Sequence, residues 1–194
     1  MRSEKVADIC NTIKELDPSQ DDYQNAKSDL KKKLPAITVH SFYFFDSKRS
    51  NDSAWYNGLA ALEYDHLSED EIEAFKHVVP TDNVVLAGLS CSGTGVWFLL
   101  EVPGCDYSLM ESTIRDTHRL FCTQIKVQAG LDVTDKVDIQ LDTARLRFLP
   151  PYSYIWYDNV SDFACEKERS LGLRSQWGKV LDACAKLESQ VPEG

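Results

Sequence analysis

The passage from Gly58-Leu-Ala-Ala-Leu-Glu63-Tyr-Asp65 into Ser68-Glu-Asp-Glu71 constrains the fold of this chain more than any other segment. The first string is a short apolar run closed by acids and reads as a strand. The second is a capping box, in which a hydroxyl residue and the glutamate three positions on satisfy free N–H groups at a helix start. Ile72, Phe75 and Val79 then mark the apolar side of a short helix. A strand that feeds so directly into a helix lays one of its faces against it. Successive strand residues point to opposite faces, so Ala60, Leu62 and Tyr64 share one side and Glu63 and Asp65 the other. Two adjacent carboxylates repel. A divalent cation between them removes the repulsion, and a solvated turn at the strand end tolerates it.

The remaining elements are read in the same way. Val6, Ile9, Ile13 and Leu16 mark a first helix that Asp17-Pro18 stops, and a second helix spans about 20–32. Ile37 to Phe45, rich in β-branched and aromatic residues, reads as one strand, and the polar stretch 46–53 as a loop. Val84–Leu89 and Gly95–Val102 are apolar strands joined by Ser90-Cys-Ser-Gly-Thr-Gly95, as in a hairpin. A helix over about 107–128 follows, then Arg145–Leu149 as the last core strand, then an amphipathic helix carrying Leu173, Trp177, Val180, Leu181, Cys184 and Leu187. Helices interspersed with hairpins predict an α+β fold. It is a mainly antiparallel sheet with helices on one face and with N- and C-terminal helices attached. Glu63 and Asp65 would lie on the open face.

At 194 residues the chain is expected to form a single domain, with a core over about 30–160 and helical extensions over 1–30 and 165–190. No stretch approaches the ~18 apolar residues of a membrane span, and the N-terminus lacks the apolar core of a signal peptide. The expectation is a cytoplasmic protein with no membrane contact. Its six cysteines form no Cys-x-x-Cys pair, which leaves zinc and dithiol redox chemistry without a motif. A net charge of −10 argues against wrapping a nucleic acid unaided, because cations on phosphates supply most non-specific affinity. A local basic patch is still compatible with nucleotides. None of the four histidines sits in a recognisable nucleophile motif.

Two further constellations carry possible chemistry. Ser90, Ser92, Gly93 and Gly95 bring hydroxyls and permissive backbone to one loop, suited to an anion or to an ordinary glycine hairpin. Arg145 and Arg147, two apart on a strand, share a face where they would clamp phosphate or pair with acids nearby such as Asp132, Asp135, Asp138 and Asp142.

Taken in order, these strings resemble the archaeo-eukaryotic primase superfamily, and in particular the primase-like N-terminal domains of bacterial mobile-element proteins, the VirE N-terminal type. The resemblance spans about residues 30–160, from Lys33-Leu-Pro-Ala-Ile-Thr38 through the acid-x-acid strand and the Ser-x-Ser-Gly-x-Gly hairpin to Ala144-Arg-Leu-Arg-Phe-Leu-Pro150. It implies a primase-polymerase-like, RRM-like core. Two Mg2+ or Mn2+ ions would be held by Glu63, Asp65 and a third carboxylate, Asp135 or its near alternative Asp132. Phosphates would be held by Ser90, Ser92, Gly93, Gly95, Arg145 and Arg147. The implied partners are a nucleotide or single-stranded nucleic acid, with a helicase or other replication domain attached. Three departures point to weakened nucleotidyl transfer: Glu63 where Asp is commoner, Thr94 where lysine is frequent, and Trp97 or Phe98 where the superfamily's histidine is expected. The expected function is therefore a degenerate primase-like domain of a bacterial replication or mobile-element protein. An active primase or polymerase and an acidic protein-interaction module are the alternatives.

Overall fold

The computed structural model describes residues 2–44, 50–51, 54–78 and 80–159. The expected C-terminal helix, with Arg169, Arg174, Cys165 and Cys184, lies outside them. Two helices, α1 (Arg2–Glu15) and α2 (Tyr23–Lys31), precede the short strands β1 (Ala36–Thr38), β2 (Ser41–Phe44) and β3 (Ala54–Tyr56). Then come β4 (Leu59–Tyr64), α3 (Glu69–Lys76), β5 (Val84–Leu89), β6 (Val96–Glu101) and the long α4 (Met110–Ala129). Three more short strands follow, β7 (Val137–Ile139), β8 (Leu146–Phe148) and β9 (Ile155–Asp158). The fold is α+β, as the sequence predicts.

A five-stranded sheet in the order β7-β4-β6-β5-β9 forms the centre, every neighbouring pair antiparallel. Alternation along β4 and β6 sends Ala60, Leu62, Tyr64, Val96, Phe98 and Leu100 to the face covered by α3 and α4. There Tyr64 meets Phe75 of α3 at 4.4 Å between ring centres, and Phe98 meets Phe121 of α4 at 4.7 Å. The capping box is formed in full. Ser68 Oγ accepts the Glu71 N–H at 3.2 Å, and Glu71 Oε2 accepts the Ser68 N–H at 2.7 Å. Ser68→Ala is expected to cost about 1 kcal/mol of folding free energy, read as a lower urea midpoint at unchanged slope.

The region read as one strand, 37–45, is two. β1 pairs with β8, whereas β2 pairs with β3, each as a separate two-stranded ribbon. The break falls at Val39-His40, both buried. His40 Nε2 accepts the Ala61 N–H of β4 at 2.9 Å, so its other nitrogen, 3.2 Å from the Asp142 carbonyl, carries the proton and donates. One imidazole thus joins the β1–β2 turn, the central sheet and the approach to β8. That tertiary tie overrides the strand propensity of the run.

β8 also departs from expectation. It is not a strand of the central sheet; its partner is β1, with Arg147 opposite Ile37. The fifth strand is β9, which joins β5 and which the sequence reading did not anticipate. Displaced from the sheet, β8 stands over the face opposite α3 and α4. Phe148 there packs with Cys10 and Ile13 of α1, Leu34 and Cys91. The second face is therefore only partly open.

Candidate functional site

Between that second face and the elements standing over it is a cavity of about 380 Å³, within the ~300–1,000 Å³ range of small-molecule sites. Its floor is set by register. Asp138 of β7, Glu63 of β4 and Trp97 of β6 are directly opposite one another in adjacent strands, so their side chains share a face. Asp65 and His66 continue from the end of β4, the β5–β6 loop contributes Ser90, Ser92 and Thr94, and Arg145 and Arg147 enter from β8 and its approach. Three segments distant in sequence, read separately as acid-x-acid, Ser-Gly loop and paired arginines, thus meet in one place.

The loop reaches the acids because of one glycine. A Cβ on Gly95 would fall 2.5 Å from the Tyr64 carbonyl oxygen and 2.9 Å from Asp65 Oδ1, far inside van der Waals contact. Gly93 supplies the left-handed turn, at φ +71°. Its N–H donates to the Ser90 carbonyl at 2.9 Å, so it closes the turn and does not face a ligand. The hydroxyls form a chain, with Ser90 and Thr94 each 3.1 Å from Ser92 Oγ. Neither Gly93 nor Gly95 lines the cavity; they shape the loop that carries the hydroxyls.

The third carboxylate is Asp138. Asp135 lies in the exposed 3-10 turn Thr134–Lys136 before β7, and the exposed Asp132 is held by accepting the Thr134 N–H at 3.1 Å. Neither borders the cavity. The strand starts at Val137, so the first acid able to stand beside Glu63 is the one three residues beyond Asp135. A sequence signal existed in the alternation Val137-Asp138-Ile139, a polar residue between two apolar ones, as in a strand with one side buried.

At the centre of the site is an ion pair. Arg147 Nη1 donates to Glu63 Oε2 at 2.8 Å, with the two side chains only 10% and 22% exposed. Burial pushes the Glu63 carboxyl above its usual range; the Arg147 charge opposes this, and Asp65 and Asp138 add to it. Burial likewise lowers the Arg147 pKa, against the pull of Glu63. For both partners desolvation outweighs mutual attraction, as is common for buried pairs. Arg147 is also under-satisfied: its Nε and Nη2 are buried and have no hydrogen-bond partner among the described residues. These two nitrogens form the side edge of the guanidinium, whose parallel N–H groups match two oxygens of a phosphate or carboxylate. Arg145 donates from Nη1 to Gln140 Oε1 at 2.5 Å.

The donor set does not fit a two-ion centre as it stands. A guanidinium holds the carboxylate that would be its first ligand, and among the described residues no three His, Cys, Asp or Glu side chains are grouped to hold a metal. Trp97 occupies the cavity floor, its Nε1 donating to the Leu89 carbonyl at 3.1 Å.

A second pairing went unread in the sequence. His118 and Cys122, one turn apart on α4, bring Nδ1 within 3.5 Å of Sγ, with the Tyr64 hydroxyl 2.9 Å from the same nitrogen. Burial raises the thiol pKa and lowers that of the imidazole, the latter with help from Arg115 and Arg119. Both shifts oppose a thiolate–imidazolium pair, so this contact is structural.

The architecture defines an α+β domain with a mixed-charge cavity on the face of its sheet away from α3 and α4. The chain belongs to the family described as BT4734-like, N-terminal domain, whose model covers residues 29–131. That span contains Glu63, Asp65 and the Ser-Gly loop, and stops before Asp138, Arg145 and Arg147. Comparison with curated proteins and with solved structures returns no match. Among the described residues no helix is long and apolar enough to cross a membrane.

Proposed function

We propose that this chain is a primase-like domain of a replication or mobile-element protein that binds a phosphate-bearing nucleotide or nucleic-acid end in the cavity and has lost strand synthesis. One observation carries the ligand class: a guanidinium nine-tenths buried in the cavity wall, with Nε and Nη2 unpartnered. A buried donor without a partner costs roughly 1–3 kcal/mol, more for a charged group, and an oxyanion is the group that satisfies both nitrogens at once. Ser90, Ser92 and Thr94 add neutral donors on the same cavity. The nitrogens are sealed from water, so an entering phosphate parts the side chains above them. Loss of synthesis follows from Glu63 being tied to Arg147 and from an aromatic residue, Trp97 or Phe98, at the expected histidine position.

Calorimetry with a nucleoside triphosphate, with and without Mn2+, tests the reading. Binding is expected in both conditions and is expected to weaken at least about tenfold, or about 1.4 kcal/mol, in Arg147→Lys, which keeps the charge and loses the fork. No heat with the wild-type protein would overturn the reading. Template-directed incorporation that disappears in Glu63→Ala with Asp65→Ala would overturn the loss of synthesis.

A further inference from the structure

The cavity is also bordered by α2, which contributes Gln24, Lys27 and Lys31. Their spacing of three and four puts them on one side of the helix. Lys31 begins a lysine triplet, but its neighbours behave differently. Lys32 and Lys33 are exposed, and Lys32 pairs with Asp29 at 2.8 Å. Lys27 and Lys31 are half-buried, and neither makes an ion pair among the described residues. The Lys27 ammonium has a neutral partner, the Tyr23 hydroxyl at 3.3 Å. In a chain of net charge −10, two lysines without carboxylate partners turned into one cavity are conspicuous, because acids to neutralise them are plentiful. The same cavity already carries Arg147 and Arg145.

We infer that Lys27 and Lys31 form a second phosphate-binding edge, so that the cavity takes a ligand with at least two linked phosphates, a nucleoside di- or triphosphate in preference to a monophosphate. Arg147 takes one phosphate at its fork, and the α2 lysines meet the next as point charges. Lys27 precedes the family-matched span and Lys31 lies just inside it, so this edge of α2 straddles the start of that span. The inference rests on the phosphate reading of the cavity and extends it to phosphate number.

A calorimetric series at low salt tests it: nucleoside, monophosphate, diphosphate, triphosphate, and a 5′-phosphorylated single-stranded tetranucleotide, against wild type and Lys27→Gln with Lys31→Gln. Wild type is expected to bind triphosphate at least about tenfold more tightly than monophosphate. The double variant, melting at the wild-type temperature, is expected to lose that increment and keep monophosphate affinity within about twofold. Equal affinity of wild type for mono- and triphosphate, or an increment unchanged in the variant, overturns this inference and leaves the phosphate reading standing. Preference for the tetranucleotide over triphosphate, lost in the variant, overturns the di- or triphosphate assignment in favour of a strand backbone. No binding of any probe overturns both.

Discussion

Acidification from pH 7 to 4 is expected to remove about 3 kcal/mol of folding free energy through one residue, His40. The imidazole is 2% exposed, and burial, with the Arg147 charge adding to it, pushes its pKa down to about 4 against the donated bond to Asp142. Its hydrogen bonds explain why the neutral form is required. Nε2 accepts from the Ala61 N–H, and a proton there would set two donors against each other inside the protein. The ordinary value is about 6.5, so the unfolded chain takes up the proton first. The stabilisation is complete above pH 6.5 and is lost as pH falls towards 4, where it levels off. Glu63 acts in the opposite sense: its raised pKa means the folded state holds a proton more tightly, so stability falls as pH rises through the window above the usual Glu value. The two effects separate in a variant. His40→Gln keeps an acceptor and a donor on its side chain but does not titrate. Urea unfolding of both proteins between pH 7 and 4.5 should give a steeper loss in the wild type. Parallel curves would remove His40 as the cause.

The strongest local signals were legible in the sequence. The capping box at Ser68-Glu71, the apolar alternation of β4 and the long periodic helix α4 are set by neighbours along the chain, and each forms as read. What was not legible depends on partners far away. Nothing within Ile37–Phe45 marks a break at His40; the break comes from Ala61 and Asp142, which lie 21 and 102 residues away. β8 was placed in the central sheet because Arg-Leu-Arg-Phe alternates as an amphipathic strand does. In such a pattern the arginines are expected to face water, but Arg147 points inwards because Glu63 waits there.

The candidate site was legible as separate parts. The acid-x-acid pair, the Ser-Gly loop and Arg145 with Arg147 were singled out by residue type and spacing, and they border one cavity. Asp138 was missed because β7 was not read as a strand, and register alone decides which acid stands beside Glu63. Lys31 was missed because a lysine run at a helix end carries no sign of which member faces inwards, and Lys27 because a single lysine on a polar helix carries none of what it faces. Only packing of α2 over the sheet separates Lys31 from Lys32 and Lys33.

Removing the guanidinium while leaving its partner, as in Arg147→Met, is expected to cost about 3–5 kcal/mol at pH 8, the penalty of a buried charge without a counter-charge. Glu63 would then face Asp65 and Asp138, with the weaker pull of Arg145 as the remaining positive charge acting on it. The sign with pH follows. Burial already raises the Glu63 pKa, and losing Arg147 raises it further, so the penalty is greatest above the new value and shrinks as pH falls towards the ordinary range near 4.3, where both folded and unfolded chains are protonated. Glu63→Gln with Arg147→Met removes both charges, and its loss is expected to be well below that of Arg147→Met alone, because replacing a whole buried pair is often close to neutral. Urea unfolding of wild type, both single variants and the double at pH 5 and pH 8 completes the cycle. A double variant as unstable as Arg147→Met, or a deficit that does not shrink at pH 5, would show that Arg147 acts through packing and not through its charge. If the double folds as well as wild type and no longer binds nucleoside triphosphate, the pair is not needed for the fold and the guanidinium serves binding rather than stability.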